Sequence, residues 1–381
     1  MTNQPGRDTS AVLVHDYLNQ YGGAERVVEA IHSIYEESPV YTSMFDPNAM
    51  PPAYREWDIH TTWVDRVPQS HRRHQLLLPL YAPSFQHLEL PQCDVVLSSS
   101  SAFGKFAAPP PGAIHICYTH APARFAWNFE QYCERERLPA AVRAVLRPYM
   151  WWFRRHDRVQ ARRVDYFIAN STVVRDRIRA FWRRDAEVIY PPVDTHRFEP
   201  AGPSEIENYF LVVSRLVPYK RIDIVIDAFR VLGLPLLVAG DGRDRERLQA
   251  RASPNIQFLG RVSDEELRAL SARCRAAIFM SEDDFGIAQV EIQAAGRPVI
   301  ALARGGVLDS VRPDVTGIWV KDRTVGALVE AVRRFDTLRF DPDVLVAHAE
   351  RFSLQRFQDE YRSFVEERVE RYRAEGQSHW S

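Results

Sequence analysis

Lysine is almost absent from the chain. Of 49 basic residues in 381, only Lys105, Lys220 and Lys321 are lysines. Where Arg is the default, a Lys marks a place that uses a compact point charge rather than a planar fork, and Lys220 is noted on that ground. Cysteine is scarce as well. Cys93, Cys117, Cys133 and Cys274 form no CxxC pair and have no histidine at zinc-finger spacing, so free thiols in a reducing compartment are expected rather than a disulfide framework or a zinc finger. Neither sign of charge dominates. The formal net charge is −1, which argues against a nucleic-acid partner. Long apolar runs are missing too. None approaches the ~20 residues of a membrane span, and the longest candidate, 76–82, is interrupted by Pro79. The opening MTNQPGRDTS lacks the apolar stretch of a signal peptide, so a cytoplasmic location is expected. Residues 1–10 and the polar stretch after Arg373 read as disordered tails.

What is present is a repeated alternation of short apolar runs and helical patterns. AVLVHDYL breaks at Tyr21-Gly22-Gly23, and a helical pattern follows from Ala24 to Ile34 with Val27, Val28, Ile31 and Ile34 on one side. This is the strand, glycine loop and helix that open a βαβ unit. Further strands are expected at 93–100, 113–120 and 163–170. Residues 143–163 read as one or two helices of aromatic and basic character. Pro191-Pro192 and the stretch 199–203 look like a connector. Strands are then expected at 209–216, 235–242, 255–260, 276–281 and 298–303, with helices over 221–232, 243–252, 263–273 and 287–295. A long amphipathic helix runs from Leu354 to Arg373. Such alternation specifies an α/β chain with two Rossmann-like, doubly wound parallel-sheet domains facing across a cleft. The expected division is a first domain over 11–198, a second over 199–353, and a C-terminal helix and tail over 354–381 that packs back toward the first.

Four places carry possible chemistry, each with a plainer alternative. Gly22-Gly23, after a strand and before a helix, would let the backbone approach a phosphate at a helix N-terminus; a tight turn explains them equally. They are not a GxGxxG, and no ribose-binding acid follows a second strand, which counts against a dinucleotide enzyme. Arg215 and Lys220 flank Pro218 past a strand end and suit a diphosphate whose charge grows as it leaves; a solvated basic loop is the alternative. In SEDDFGIAQVEIQAAG (281–296), acids precede a helix N-terminus. Backbone N–H groups around Gly286 to Ala288 can meet phosphate oxygens, and Glu291 lies within an apolar helix face; an N-capping acid cluster reads the same way. His120 ends a strand, where it can hold a hydroxyl or serve a structural role.

Together these segments resemble the retaining glycosyltransferases of family 4, which have the GT-B fold, over about residues 11–366. The strongest parts are HDYLNQYGGAERV, CYTHAPARFAW, ANSTVVRDRI, VIYPPVDTHRF, VSRLVPYKRID, VAGDG and 255–310. Within the family the chain looks most like bacterial mannosyltransferases of surface-polysaccharide assembly. The resemblance implies that Gly22 and Gly23 lie near the donor diphosphate and that Arg215 and Lys220 clamp it. Glu291 is then the second acid of the family's E-x7-E motif and holds the donor ribose. Eight positions upstream, where the family has Glu, stands Asp283, with Glu282 one position off register, so either acid or both would contact the sugar. His120 would sit by the transferred sugar, backbone near Arg261 and Val262 would meet the base, and Phe285, Gly286 and Ile287 would be among the donor-binding residues.

The implied reaction moves a hexose, with mannose from GDP-mannose the best choice, from a nucleotide sugar to a glycan or lipid-linked saccharide. The first domain would bind the acceptor, with Asp16, Arg124 and Trp127 on that side, and the second the donor. No cofactor and no metal are expected, since two cations and a helix N-terminus take the metal's place. Two segments, 71–85 and 147–163, mix Arg with large apolar residues. They suit contact with an anionic membrane at its inner face, or a solvated face on packing helices. A two-domain nucleotide-sugar epimerase, or a binding-only relative that has lost turnover, are the competing classes.

Overall fold

The structure is a computed structural model that describes residues 9–68, 70, 77–135 and 138–375. The chain divides into two units, the first comprising Met1–Tyr190 and Phe357–Ser381, the second Pro191–Arg356.

In the first unit the strands are β1 (Ala11–His15), β2 (Val40–Thr42), β3 (Ile59–Thr61), β4 (Val95–Ser100), β5 (Ile114–Thr119), β6 (Tyr166–Ala169) and β7 (Glu187–Val188). The helices are α1 (Gly23–His32), α2 (Leu78–Gln86), α3 (Arg124–Trp127), α4 (Phe129–Arg135), α5 (Ala140–Ala161) and α6 (Thr172–Trp182). The strands pair in parallel in the order β3-β2-β1-β4-β5-β6-β7. Strands buried on both faces have no polar side, which is why AVLVH reads as an unbroken apolar run. Alternate side chains still part to opposite faces. Leu13 and Leu97 pack with Val27 and Ile31 of α1, whereas Val14 and Val96 pack with Phe103, Phe106 and Phe153.

The second unit holds β8 (Phe210–Val213), β9 (Leu236–Ala239), β10 (Ile256–Gly260), β11 (Ala277–Phe279), β12 (Val299–Leu302) and β13 (Gly317–Val320). Its helices are α7 (Ile222–Leu232), α8 (Arg245–Gln249), α9 (Asp264–Arg273), α10 (Ile287–Ala294), α11 (Val307–Ser310), α12 (Val325–Phe335) and α13 (Pro342–Ala349). The sheet is again parallel, in the order β10-β9-β8-β11-β12-β13. Phe210, Val212, Val238, Ile278 and Ile300 face α7 and α12. Leu211, Ala277, Phe279 and Ala301 face Ile292 of α10.

The last helix, α14 (Leu354–Glu375), joins the first unit's core. Phe357, Tyr361, Phe364, Val365 and Val369 pack with Leu97, Ile116 and Tyr118. Each such side chain contributes about 1.5–3 kcal/mol relative to exposure.

Some elements differ from the expectations. The chain passes from the first unit to the second at Tyr190/Pro191, where 198/199 was expected; Val193 N donates to Phe352 O at 2.9 Å and Val193 bridges Ser353, which ties the connector to the second unit. The segment 143–163, read as one or two helices, lies up to Ala161 in one helix, α5, that runs through Pro148. The helix expected over 243–252 shrinks to α8, since Gly242 is in a loop that stacks on residue 216. Strands β2, β3, β7 and β13 and helices α12 and α13 lie in stretches from which no periodicity had been read. Ser10, assigned to a tail, is held: its N and Oγ donate to Asp94 Oδ2 at 2.9 and 2.8 Å. Residues 1–8, 71–76 and 376–381 lie outside the described residues, and with them most of both tails and the first six residues of the segment 71–85.

Candidate active site

In an open parallel sheet, ligands bind beyond the carboxyl ends of the strands where the strand order reverses. That point lies between β1 and β4 in the first unit and between β8 and β11 in the second. Both are crowded with polar residues.

In the second unit, Arg215 and Lys220 leave the end of β8, and residues 281–286 leave the end of β11. Lys220 Nζ lies 2.7 Å from Asp283 Oδ1, and Ser281 Oγ donates to Asp283 Oδ2 at 2.8 Å. The neighbouring acid goes elsewhere: Glu282 Oε2 is 3.5 Å from Arg323 Nη2. Arg323 follows β13 and was not singled out in the sequence, although the run Lys-Asp-Arg at a strand end was the available signal. Arg215 is exposed, with Nη2 3.3 Å from the Tyr219 hydroxyl. Glu291 is half-buried on α10. Around it, Gln293 Nε2 donates to Ser310 O at 2.9 Å and Ser310 Oγ to Gln289 Oε1 at 3.0 Å, which fixes the helix that carries it. Gly286 caps α10 at φ +94°, and Ile287 is the first residue of that helix. Phe285 is buried against Phe352, with ring centres 5.4 Å apart. Arg261 is exposed just past β10, and Val262 packs into the sheet's core.

Two glycine loops, after β9 and after β12, hold this region together by backbone contact. A Cβ on Gly240 (φ +133°) would sit 1.9 Å from Ser214 O. One on Gly305 (φ +70°) would sit 2.2 Å from Asp283 O, and Gly306 N donates to that same oxygen at 2.9 Å. The second loop was also missed in the sequence, though the pair Gly305-Gly306 after a strand could have marked it.

In the first unit, Gly22 is the N-cap of α1 and Gly23 its first residue. Asp16, expected on the acceptor side, is engaged internally. Its Oδ2 accepts from Ser101 N (2.6 Å) and Ala102 N (2.8 Å). Its Oδ1 accepts from Ser100 Oγ (3.0 Å), Phe103 N (2.9 Å) and Gly104 N (2.5 Å). A buried carboxylate needs such donors, and this one shapes the loop after β4. His120 Nε2 lies 2.7 Å from Ser99 Oγ. Burial first, and then His15, push the His120 ring down to about 4. His15 behaves oppositely. Burial alone would lower it, but Glu25, Asp16 and the Ser99 carbonyl outweigh burial and raise it. Neither His15 nor Glu25 was singled out in the sequence.

Arg124 opens α3 and Trp127 closes it. Trp127 Nε1 donates to Asp157 Oδ2 at 2.7 Å. The buried Asp157 also accepts from Trp182 Nε1 at 2.7 Å and pairs with buried Lys105 at 2.6 Å. The outer face of Trp127 lines a groove of about 410 Å³ with Trp151, Arg154, Arg155, Arg158 and Arg162. Among the described residues no three His, Cys, Asp or Glu side chains gather as metal ligands would, and no helix is long and apolar enough to cross a membrane.

Residues 21–197 match the family model described as Glycosyltransferase Family 4, and residues 194–349 the model described as Glycosyl transferases group 1. The chain is thus built of a family 4 segment followed by a group 1 segment of the glycosyl transferases, together spanning residues 21–349. It is 33% identical over 190 residues to a GDP-mannose-dependent alpha-(1-6)-phosphatidylinositol monomannoside mannosyltransferase of Mycobacterium tuberculosis, across 42% of this chain and 48% of that one. It is 30% identical over 218 residues to a D-inositol 3-phosphate glycosyltransferase of Mycobacterium bovis, across 50% and 45%. The chain thus spans about half the length of the curated relatives it matches. The crystal structure of Anabaena Alr3699/HepE in complex with UDP-glucose superposes with a TM-score of 0.71 at 18% identity, covering 94% of this chain and all of that one. The apo lipopolysaccharide outer core galactosyltransferase WaaB gives 0.68 at 16%, covering 94% and 99%. These likenesses establish the GT-B fold.

Proposed function

We propose that this protein transfers a hexose, mannose from GDP-mannose in the first instance, to a glycan or lipid-linked saccharide in polysaccharide assembly. The observation that carries the reading is the Lys220–Asp283 pair at the second sheet's switch point, beside the N-terminus of α10. One strand-end neighbourhood there holds a cation for a diphosphate, acids for sugar hydroxyls and free backbone N–H groups for phosphate oxygens. The name of the mycobacterial relative supports GDP-mannose. The ligand of the HepE structure makes UDP-glucose the competing donor.

The second unit binds the donor, with Arg215 and Lys220 on the diphosphate, Glu291 on the ribose, and Asp283 or Glu282 on the sugar. The acceptor hydroxyl attacks the anomeric carbon on the face the nucleotide leaves. The bond to the phosphate oxygen breaks, the acceptor's proton passes to that oxygen, and a glycoside of retained configuration and a nucleoside diphosphate result. Two cations stabilise the charge that grows on the leaving group, the largest lever available to such a site. No divalent metal takes part. The first unit binds the acceptor, and its α5 groove supports contact with an anionic membrane. Trp151 is 63% exposed beside Arg154, Arg155 and Arg158, a pairing of aromatic and basic groups suited to a lipid interface.

Release of GDP from GDP-mannose, unchanged in EDTA and lost in Lys220→Ala, is the expected result. Release of UDP from UDP-glucose alone would replace the donor. No nucleotide release from any sugar nucleotide would overturn the transferase reading. Flotation with phosphatidylglycerol vesicles tests the membrane contact, which Trp151→Ala should weaken.

A further inference from the structure

The first unit's switch point holds a buried ionisable cluster that the donor chemistry of the second unit does not use. Its members are Glu25 on α1, His15 at the end of β1, Ser99 on β4 and His120 after β5, each no more than 9% exposed. Their geometry dictates where the protons lie. His15 Nδ1 is 2.9 Å from the Ser99 carbonyl oxygen, which can only accept, so Nδ1 carries a hydrogen. His15 Nε2 is 3.5 Å from Glu25 Oε1, again an acceptor. Both ring nitrogens therefore face acceptors, the arrangement of an imidazolium. His15 Nδ1 is also 3.3 Å from Ser99 Oγ, and since Nδ1 carries the hydrogen, that oxygen is on the receiving side. Its own hydrogen is then directed at His120 Nε2, 2.7 Å away.

We propose that His15 is a positioning residue: held as an imidazolium by Glu25, it turns the Ser99 hydroxyl toward His120 and so fixes His120 as the neutral tautomer with its proton on Nδ1. The groups that face His15 are Glu25 from α1, Asp16 from the loop after β1, Ser99 from β4, and the His120 ring, whose centre is 6.4 Å away and nearly perpendicular. Asp16 is already engaged by five donors of the loop after β4, which leaves Glu25 as the partner that sets the charge. A His120 fixed in this way offers an N–H to a ligand oxygen and is not a free base, because its Nε2 lone pair is spent on Ser99. Ligand contact at His120 rests on the transferase reading; the tautomer does not.

Ring-¹⁵N-histidine labelling of the full chain, read by long-range proton–nitrogen correlation, tests the proposal without any substrate. The expected spectrum at pH 7 shows His15 with both nitrogens protonated and His120 with Nδ1 protonated and Nε2 bare. Glu25→Gln should move the His15 midpoint downward. Ser99→Ala should leave His15 charged, through the remaining carbonyl, while His120 turns to a mixture of tautomers. Neither substitution removes a ring, so the test survives if His15→Gln fails to fold. A His15 that is neutral at pH 6 in the wild type, or a His120 tautomer unmoved by Ser99→Ala, would overturn it. On turnover, Ser99→Ala should lower kcat about tenfold with KM little changed, as loss of one positioned group does. A wild type that turns over no sugar nucleotide contradicts the transferase reading alone, since the ring spectra judge this proposal separately.

Discussion

Lys220 Nζ sits 2.7 Å from Asp283 Oδ1, so a cation expected on the donor's diphosphate and an acid expected on its sugar are partners of each other. The contact joins the loop after β8 to the loop after β11 and holds Lys220 in one place before any ligand arrives. Lys220→Ala should weaken sugar-nucleotide binding by tenfold or more, since a hydrogen bond to a charged group contributes about 1.5–3 kcal/mol. Asp283→Asn, which keeps the shape but loses the charge, should cost less for a free nucleoside diphosphate than for the sugar nucleotide. Titration calorimetry at fixed salt with both ligands separates these outcomes.

Asp157 is the structural counterpart of that pair. It is fully buried and receives Lys105 and two indole N–H groups. Asp157→Ala leaves the Lys105 ammonium buried without its partner, a loss of about 3–5 kcal/mol. At 2–4 °C per kcal/mol for a unit of this size, Tm by differential scanning calorimetry should fall by roughly 6–20 °C. Lys105→Met combined with Asp157→Leu should recover only part of it, because a packed apolar pair replaces the ionic one while the Trp127 and Trp182 N–H groups lose their acceptor.

Stability should fall as the solution is acidified from pH 6.5 toward 4. His115 is pushed down to about 3, by burial and then by Lys105, and His120 to about 4. Below 6.5 the unfolded chain takes protons that the folded chain refuses, so each ring removes roughly 1 kcal/mol per pH unit over that window. His15 has the opposite sign. Its raised value gives stability that is complete below 6.5 and lost as pH climbs past its folded value. Urea unfolding at pH 4.5, 5.5 and 6.5 reads the slope, and His120→Asn should flatten it.

Gly305→Ala should disable the donor site without removing a charged group. The added methyl would lie 2.2 Å from the Asp283 carbonyl in a backbone of φ +70°, so the loop after β12 must move and take residue 283 with it. Donor affinity should drop while the circular dichroism spectrum is retained.

The strands of both sheets were legible where apolar runs end in small or polar residues, because parallel strands covered on both faces leave no other pattern. Short edge strands such as β3 (IHT) and β7 (EV) were not, since two or three residues carry no period. The chemistry at β8 and β11 stood out as charge next to glycine and proline. The partners were invisible. Nothing local says that Arg323 meets Glu282 across 41 positions, or that the acid of the HD pair after β1 would close on backbone amides 85–88 residues away. His15 went unmarked because its partner, Glu25, lies on the far side of a glycine turn and inside the first turn of a helix. Long-range pairing is set by topology, which the sequence expresses only through strand order.

Binding of GDP-mannose and UDP-glucose, each followed by calorimetry with wild type and Lys220→Ala, tests the central claim most directly. One sugar nucleotide, GDP-mannose by preference, should bind the wild type and lose at least tenfold in affinity in the variant. Equal binding to both proteins, or none to either, would contradict a donor site at the Lys220–Asp283 pair.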